Sequence, residues 1–403
     1  MVLRAAAMFD GVSSALAANP LVVIADGVIV AVEGPGAAVP PGATAIDLPG
    51  ATLLPGLIDT HLHLCFDASV DPVGHLAQTD DDALRGQMAA AARRALSAGV
   101  TTVRDLGDRG YLALELRDGD AAGGADPLPT VVASGPPITT PGGHCHFLGG
   151  AASGTRGLRA AVQERAERGV DVIKVMASGG NLTQGSTAHL PQFDAEALRV
   201  IVAEAHRLGL PVTAHAHSAR SIADAVAAGV DGLEHVTFMT ADGVDAPDAL
   251  IRAIATRQIV VGWTVASHPD QRGAVFPEIA SRMAALVANR RRLHEAGAML
   301  VPGTDAGVSP AKPHDVLPYA TEDLARAGLS PAEILHAMTS RAAKACGLGH
   351  RKGRIAPGFD ADLIAVDGNP LDDPAAIRRL RAVYAGGRAI QPDLLGQARI
   401  EVP

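Results

Sequence analysis

A chain of 403 residues is longer than one hydrophobic core usually fills, so a large domain with a smaller one beside it is the starting expectation. With 48% hydrophobic and 19% charged residues the composition excludes a disordered chain, and a formal net charge of -9 without any basic cluster argues against a nucleic-acid partner. Aromatic residues at 3% leave no base-stacking platform, and a small-molecule substrate fits better.

The first residues, Met1-Val2-Leu3-Arg4-Ala5, lack a basic head ahead of a long apolar run. No window approaches the roughly 18 apolar residues of a spanning helix. A soluble, cytoplasmic chain without a membrane partner is therefore expected, with room for a homo-oligomer. Cys65, Cys145 and Cys346 are odd in number and far apart, which disfavours a disulfide framework and offers no CxxC for a thiolate metal site.

Residues 1–54 read as short strands broken by turns, with Leu21-Val22-Val23-Ile24 and Val28-Ile29-Val30 flanking Asp26-Gly27, a hairpin signal. The C-terminal stretch 351–403 repeats that style, with Ala361-Asp362-Leu363-Ile364-Ala365-Val366 ending at Asp367-Gly368. Between them, over 55–350, short apolar strands alternate with Ala-rich helical stretches, the signature of βαβ units. Candidate strands fall at 52–58, 101–106, 130–136, 172–177, 212–217, 232–236, 259–265 and 298–304, with helices at Asp82 to Ala98, Asp194 to Leu208 and Ser218 to Ala228. The span from His61 to Asp305 is close to the roughly 250 residues of a (β/α)8 TIM barrel. The expected fold is that α/β barrel, interrupting a small β-sandwich domain built from both termini; a doubly wound open sheet is the alternative.

Leu57-Ile58-Asp59-Thr60-His61-Leu62-His63 is an apolar strand ending in two histidines at i, i+2, and strand side chains alternate, so both face one way. Two imidazoles converging at a barrel strand end make half a metal site. His215 and His235 each stand where an apolar run stops, and Asp305 does so on the last strand. Any one of these could be an ordinary hydrogen-bonded core residue, but four histidines and an aspartate at four strand ends are hard to obtain by accident. Lys174 lies inside the apolar strand Val172-Ile173-Lys174-Val175-Met176, where an ammonium needs a partner or loss of its charge. Either it pairs with an acid, or the neutral amine takes up carbon dioxide as a carbamate able to bridge metals.

These residues resemble the amidohydrolase superfamily, in its imidazolonepropionase-like and metal-dependent prolidase-like branch. The resemblance covers nearly the whole chain. It rests on Pro55-Gly56-Leu57-Ile58-Asp59-Thr60-His61-Leu62-His63, Thr101-Thr102-Val103-Arg104-Asp105, Ile173-Lys174-Val175-Met176-Ala177-Ser178-Gly179-Gly180, His215-Ala216-His217, Glu234-His235, Gly303-Thr304-Asp305 and the tail Gly353 to Leu363. It implies that His61 and His63 hold one divalent metal, that His215 and His235 hold a second, that carboxylated Lys174 bridges them, and that Asp305 ligates the first. Zinc suits this imidazole and oxygen set, with manganese, cobalt or iron as alternatives. A water activated between the metals would attack an amide carbonyl while Asp305 shuttles the proton to the departing nitrogen.

For substrate contacts the candidates are His144 and His146 in the glycine-rich loop Pro141 to Gly150, and His217. Arg104 is expected to pair internally with Asp105 or another acid, and His268 stands either at the pocket or at the surface. The favoured substrate is a dipeptide such as Xaa-Pro, or an N-acyl amino acid. The alternatives are hydrolysis of a cyclic amide or deamination in the imidazolonepropionase manner, and, far behind, a non-catalytic scaffold barrel. No residue in the sequence stands out as the group that would hold a substrate carboxylate.

Overall fold

The structure is a computed structural model, and it describes residues 1–121, 127–271 and 277–390. Its strands in chain order are β1 Val2–Met8, β2 Ala17–Ala18, β3 Leu21–Ala25, β4 Val28–Glu33, β5 Ala45–Pro55, β6 Leu57–Leu62, β7 Val100–Asp105 and β8 Thr130–Ala133. They continue with β9 Ile173–Met176, β10 Val212–Ser218, β11 Gly232–Met239, β12 Val260–Thr264, β13 Met299–Gly303, β14 Leu363–Asp367, β15 Leu380–Ala385 and β16 Arg388–Ile390.

The expected hairpin is present: β3 and β4 pair antiparallel across Asp26 and Gly27, at φ 51° and 77°, the two positive values that a type I′ turn requires. Among the described residues, strands from both terminal stretches enter one eight-stranded sheet, ordered β16-β15-β14-β5-β1-β3-β4 with β2 on β1. The returning β14 pairs antiparallel with β5, and its residues Leu363 and Ala365 pack with Leu3, Val22 and Leu53 in a core of their own. Of the C-terminal stretch 351–403, residues 391–403 lie outside the described residues.

The middle of the chain is a TIM-barrel-like α/β arrangement of parallel strands. β6, β7 and β8 form one parallel sheet, and β9 to β13 form another in sequential order. Parallel bridges Leu62↔Ala306 and Ile138↔Val175 lie at the edges of the two sheets. The intervening helices begin where side chains cap them: Asp80 accepts from Ala83 N, Asp194 from Ala197 N and Ser218 from Ser221 N. Helix Ala195–Arg207 buries Leu198, Ile201, Val202 and Ala205, the i, i+3, i+4, i+7 stripe that faces a sheet. Among the described residues no helix is long and apolar enough to cross a membrane.

The apolar run expected as one strand at 52–58 is two strands. Its first part closes β5 in the terminal sheet, and the chain then passes through Gly56, where a Cβ would lie 2.1 Å from Thr101 Oγ1. The last residues of β5, from Ala51 to Pro55, and all of β6 are buried, so hydrophobicity carries no break across the junction; Pro55-Gly56 marks it.

Candidate active site

The C-terminal ends of the parallel strands bring the predicted residues together. His61 lies in β6 with His63 just beyond it, Lys174 in β9, His215 and His217 in β10, His235 in β11, and Asp305 two residues past β13. All line one cavity of about 220 Å³. Among the described residues two groups have donor atoms within 4.8 Å of one another: His61, His63 and Asp305, and His215, His217 and His235. His235 and Asp305 hold left-handed backbone conformations, φ 69° and 60°, a strain that non-glycine residues bear mainly at functional positions.

Each of the five imidazoles has one ring nitrogen engaged on the outside. Nδ1 of His61 lies 3.0 Å from Glu234 Oε2, Nδ1 of His63 2.9 Å from the Gly107 carbonyl, and Nε2 of His215 3.0 Å from the Gly179 carbonyl. These acceptors take a ring N–H, which leaves the opposite nitrogen with its lone pair. His217 Nδ1 lies 2.9 Å from Thr237 Oγ1, which donates its own proton to the His217 carbonyl, and His235 Nδ1 lies 3.0 Å from Thr264 Oγ1. Ligating histidines are held in this way, because the outer bond fixes tautomer and ring direction. Burial also keeps the rings neutral: it holds His61 and His217 down to about 4 and pushes His215 and His235 well below the ordinary histidine value. His63 is the exception. Burial is the largest influence and lowers it, but the bond and charge of Asp305, with His63 Nε2 3.4 Å from Oδ1, together with the charge of Asp105 and the Gly107 carbonyl, outweigh burial.

Asp305 is the least enclosed of its group, its side chain 21% exposed against 1% for His61 and 6% for His63. Burial alone would raise its carboxyl, yet His63 and His61 hold it well below the usual carboxylate range, so it is ionised at neutral pH. Lys174 Nζ is buried with no hydrogen-bond partner. Burial holds its ammonium down to about 8, and the residue lines the same cavity as both groups. Neutral imidazoles, an ionised carboxylate and an orphaned lysine without any thiolate fit divalent metal ions.

The structure separates the two loop histidines. His144 is buried in the cavity, its ring 4.9 Å from that of His215, and Gly180 makes room for it, since a Cβ there would meet His144 Nε2 at 2.4 Å. His146 is exposed and is not among the cavity's lining residues, because the loop turns outward through Cys145 at φ 57°. His217, expected at the substrate, stands in the histidine group with His215 and His235. Arg104 pairs internally, with Glu234 at 3.0 Å rather than Asp105, and His268 lies outside the lining, its ring 5.8 Å from Tyr319.

Four further contributors carried no sequence signal of their own. Glu234 ties together His61, Arg104 and Thr213 Oγ1, the last at 2.7 Å. Asp59 accepts Thr304 N at 3.0 Å and Thr304 Oγ1 at 2.6 Å, clamping β6 to the segment that carries Asp305. Arg290 and Lys312 line the cavity. Glu234 was legible only as the neighbour of His235.

The amidohydrolase family model matches residues 52–390. Ochratoxinase of Aspergillus niger is 30% identical over 382 residues, covering 85% of this chain and 76% of that protein. Imidazolonepropionase of Pseudomonas paraeruginosa is 28% identical, covering 91% and 90%. A solved Xaa-Pro dipeptidase with methionine bound in its active site superposes with a TM-score of 0.84 at 27% identity, over 96% of this chain and 99% of that one.

Proposed function

Because this chain belongs to the amidohydrolase family and is a hydrolase acting on carbon–nitrogen bonds, we propose that it cleaves the amide bond of a small substrate, a dipeptide such as Xaa-Pro or an N-acyl amino acid. The observation that carries the reading is Lys174, a buried Nζ without a partner beside two groups of metal-binding side chains. A lone ammonium there bears the full desolvation cost. As the neutral amine it can attack carbon dioxide, forming an N–C bond and releasing one proton, and the resulting carbamate offers two oxygens that both groups can share.

On this reading His61, His63 and Asp305 would hold one divalent metal, His215 and His235 would hold the other, and carboxylated Lys174 would serve both, with zinc the favoured ion. Such metals supply an activated water and a polarised carbonyl. Asp305, ionised and the most accessible of its group, takes the proton of the attacking water and hands it to the leaving nitrogen, which a poor amine leaving group requires. His144, whose Nδ1 is buried without a partner, faces the same cavity and is assigned to the substrate carbonyl. His217 faces it too, and also lies close enough to His215 and His235 to take a ligand's place. The dipeptidase neighbour, with an amino acid in its active site, supports a substrate of this size and class.

The fold reading that goes with this is a closed (β/α)8 barrel over 55–350, supported by the bridges Leu62↔Ala306 and Ile138↔Val175, with 1–54 and 351–403 as one small β-sandwich domain. A second functional reading, cyclic amide hydrolysis or deamination, draws on the imidazolonepropionase relative. The test is a panel of Xaa-Pro dipeptides, other dipeptides, N-acyl amino acids and cyclic amides offered to zinc-loaded protein, with released amine followed by mass spectrometry. Turnover confined to cyclic amides would select the second reading; turnover of linear amides upholds the first.

A further inference from the structure

Beyond the histidines, one helix, Pro277–Glu295, contributes Ile279, Met283, Leu286 and Arg290 to the cavity's lining. These positions follow the i, i+4, i+7, i+11 spacing of a single helical face. Three are apolar and the fourth is a cation. A cation facing a cavity normally has an internal partner, and the neighbours of Arg290 in the Arg290-Arg291-Arg292 run do. Arg291 donates to the Arg326 carbonyl, and Arg292 reaches Asp248 at 2.5 Å and the Ala246 carbonyl at 2.7 Å.

Arg290 differs. Its guanidinium lies 5.7 Å over the Trp263 ring, and among the described residues it makes no hydrogen bond or ion pair. Asp323, an acid in the same lining, is occupied: one carboxylate oxygen accepts Ala266 N at 3.0 Å and the other accepts Arg326 Nη1 at 2.9 Å. Lys312 lines the same cavity, spends one proton on the Val265 carbonyl at 3.0 Å, and repels Arg290. Two cations, Arg290 and Lys312, thus face one acid, Asp323, in this part of the lining, a local excess of positive charge in a chain whose net charge is -9. A planar guanidinium with five donors is shaped for a carboxylate, which it binds through two parallel hydrogen bonds.

We propose that Arg290 is the specificity residue of this site, binding the free carboxylate of the substrate while Ile279, Met283 and Leu286 receive the adjoining apolar side chain. The proposal rests on the amide-hydrolase reading and names its substrate class: N-acyl amino acids or dipeptides with an apolar C-terminal residue and an unblocked carboxylate. It supplies the carboxylate-binding group that the sequence does not reveal.

The test compares N-acetyl-L-phenylalanine with its carboxamide, which differ only in the charged group. Kinetic constants are measured on the zinc-loaded wild type, Arg290→Gln and Arg290→Lys, and binding of both compounds to chelator-treated protein is measured by calorimetry. The wild type should favour the acid by about tenfold or more in KM, the size of one charge-assisted pair. Arg290→Gln should remove most of that preference while Arg290→Lys restores part of it, and the acid's binding should follow the same order. Equal treatment of acid and carboxamide by the wild type, or an Arg290→Gln loss that is the same on both, overturns the assignment while leaving the hydrolase intact. Turnover of neither compound counts against N-acyl amino acids as substrates, and the calorimetric preference then decides the role of Arg290 by itself.

Discussion

Glu234 Oε2 lies 3.0 Å from Nδ1 of His61, wholly out of solvent. Burial pushes that carboxyl up, but the Arg104 guanidinium and then His61 outweigh it and hold Glu234 well below the usual carboxylate range. An ionised acceptor therefore orients His61 and raises its basicity toward whatever its other nitrogen binds. Glu234→Gln should weaken zinc binding by about 10 to 100-fold, read by competition with a chromophoric chelator. Arg104→Met should instead cost stability, about 3 kcal/mol or more, because Glu234 is left as a buried charge without its cation. Unaltered zinc affinity in Glu234→Gln would remove Glu234 from the metal argument.

Lys174 gives the second prediction. After growth with added zinc and bicarbonate, the wild type should carry about two metals per chain, the count of a two-metal hydrolytic centre, and Lys174→Ala should carry fewer. Carbon-13 bicarbonate should label a carbamate carbon in the wild type and not in the variant. Metal content that is indifferent to the substitution would make Lys174 a structural residue, and attention would pass to single-metal chemistry on cyclic amides.

What the sequence conveyed, and what it withheld, follows from how each residue signals. His61, His63, His215, His235 and Asp305 announce themselves because a polar residue at the end of an apolar run is conspicuous, and strand alternation then gives its direction. Arg290 lies in an ordinary-looking basic helix, and only the contacts of Arg291 and Arg292 distinguish it from them. His146 and His144 are equivalent in a linear reading; the backbone turn between them sends one inside and one out. The β5 to β6 break was hidden for a similar reason, since the buried end of β5 and the buried β6 read as one apolar run.

The terminal sheet carries a pH prediction. The Lys352 ammonium is buried and lies 2.8 Å from Asp360, which also accepts from Arg351 at 2.9 Å. Burial raises the Asp360 carboxyl, and the bonds from Arg351 and Lys352 more than offset this, leaving it below the ordinary value of 3.8. A carboxyl depressed in the folded state stabilises above its unfolded pKa, and that stability is lost as pH falls through the folded one. Asp360→Asn should therefore be less stable than wild type at neutral pH, by about 1 kcal/mol, and the gap should close in acid below the folded pKa. Denaturant titrations at pH 7 and in strong acid test this; a gap that widens in acid would contradict it.

Gly262 sits opposite Glu234 in the β11 to β12 pairing, and a Cβ there would stand 2.1 Å from Glu234 Oε2 and 3.2 Å from Oε1. The carboxylate has no room to yield, because His61, Arg104 and Thr213 hold it from other sides. Gly262→Ala should consequently cost about 1 to 3 kcal/mol as an overpacked core position, and should weaken zinc binding in the same direction as Glu234→Gln. Gly86, inside helix Asp81–Ser97, has nothing within 4 Å of the same added atom. There the identical change should stabilise by about 0.5 to 1 kcal/mol, through the smaller backbone entropy that alanine loses on folding. Opposite signs for one substitution at two positions separate the close approach at Glu234 from any general effect of replacing glycine. If Gly262→Ala lowers stability but leaves zinc affinity untouched, the displaced carboxylate is not what positions His61.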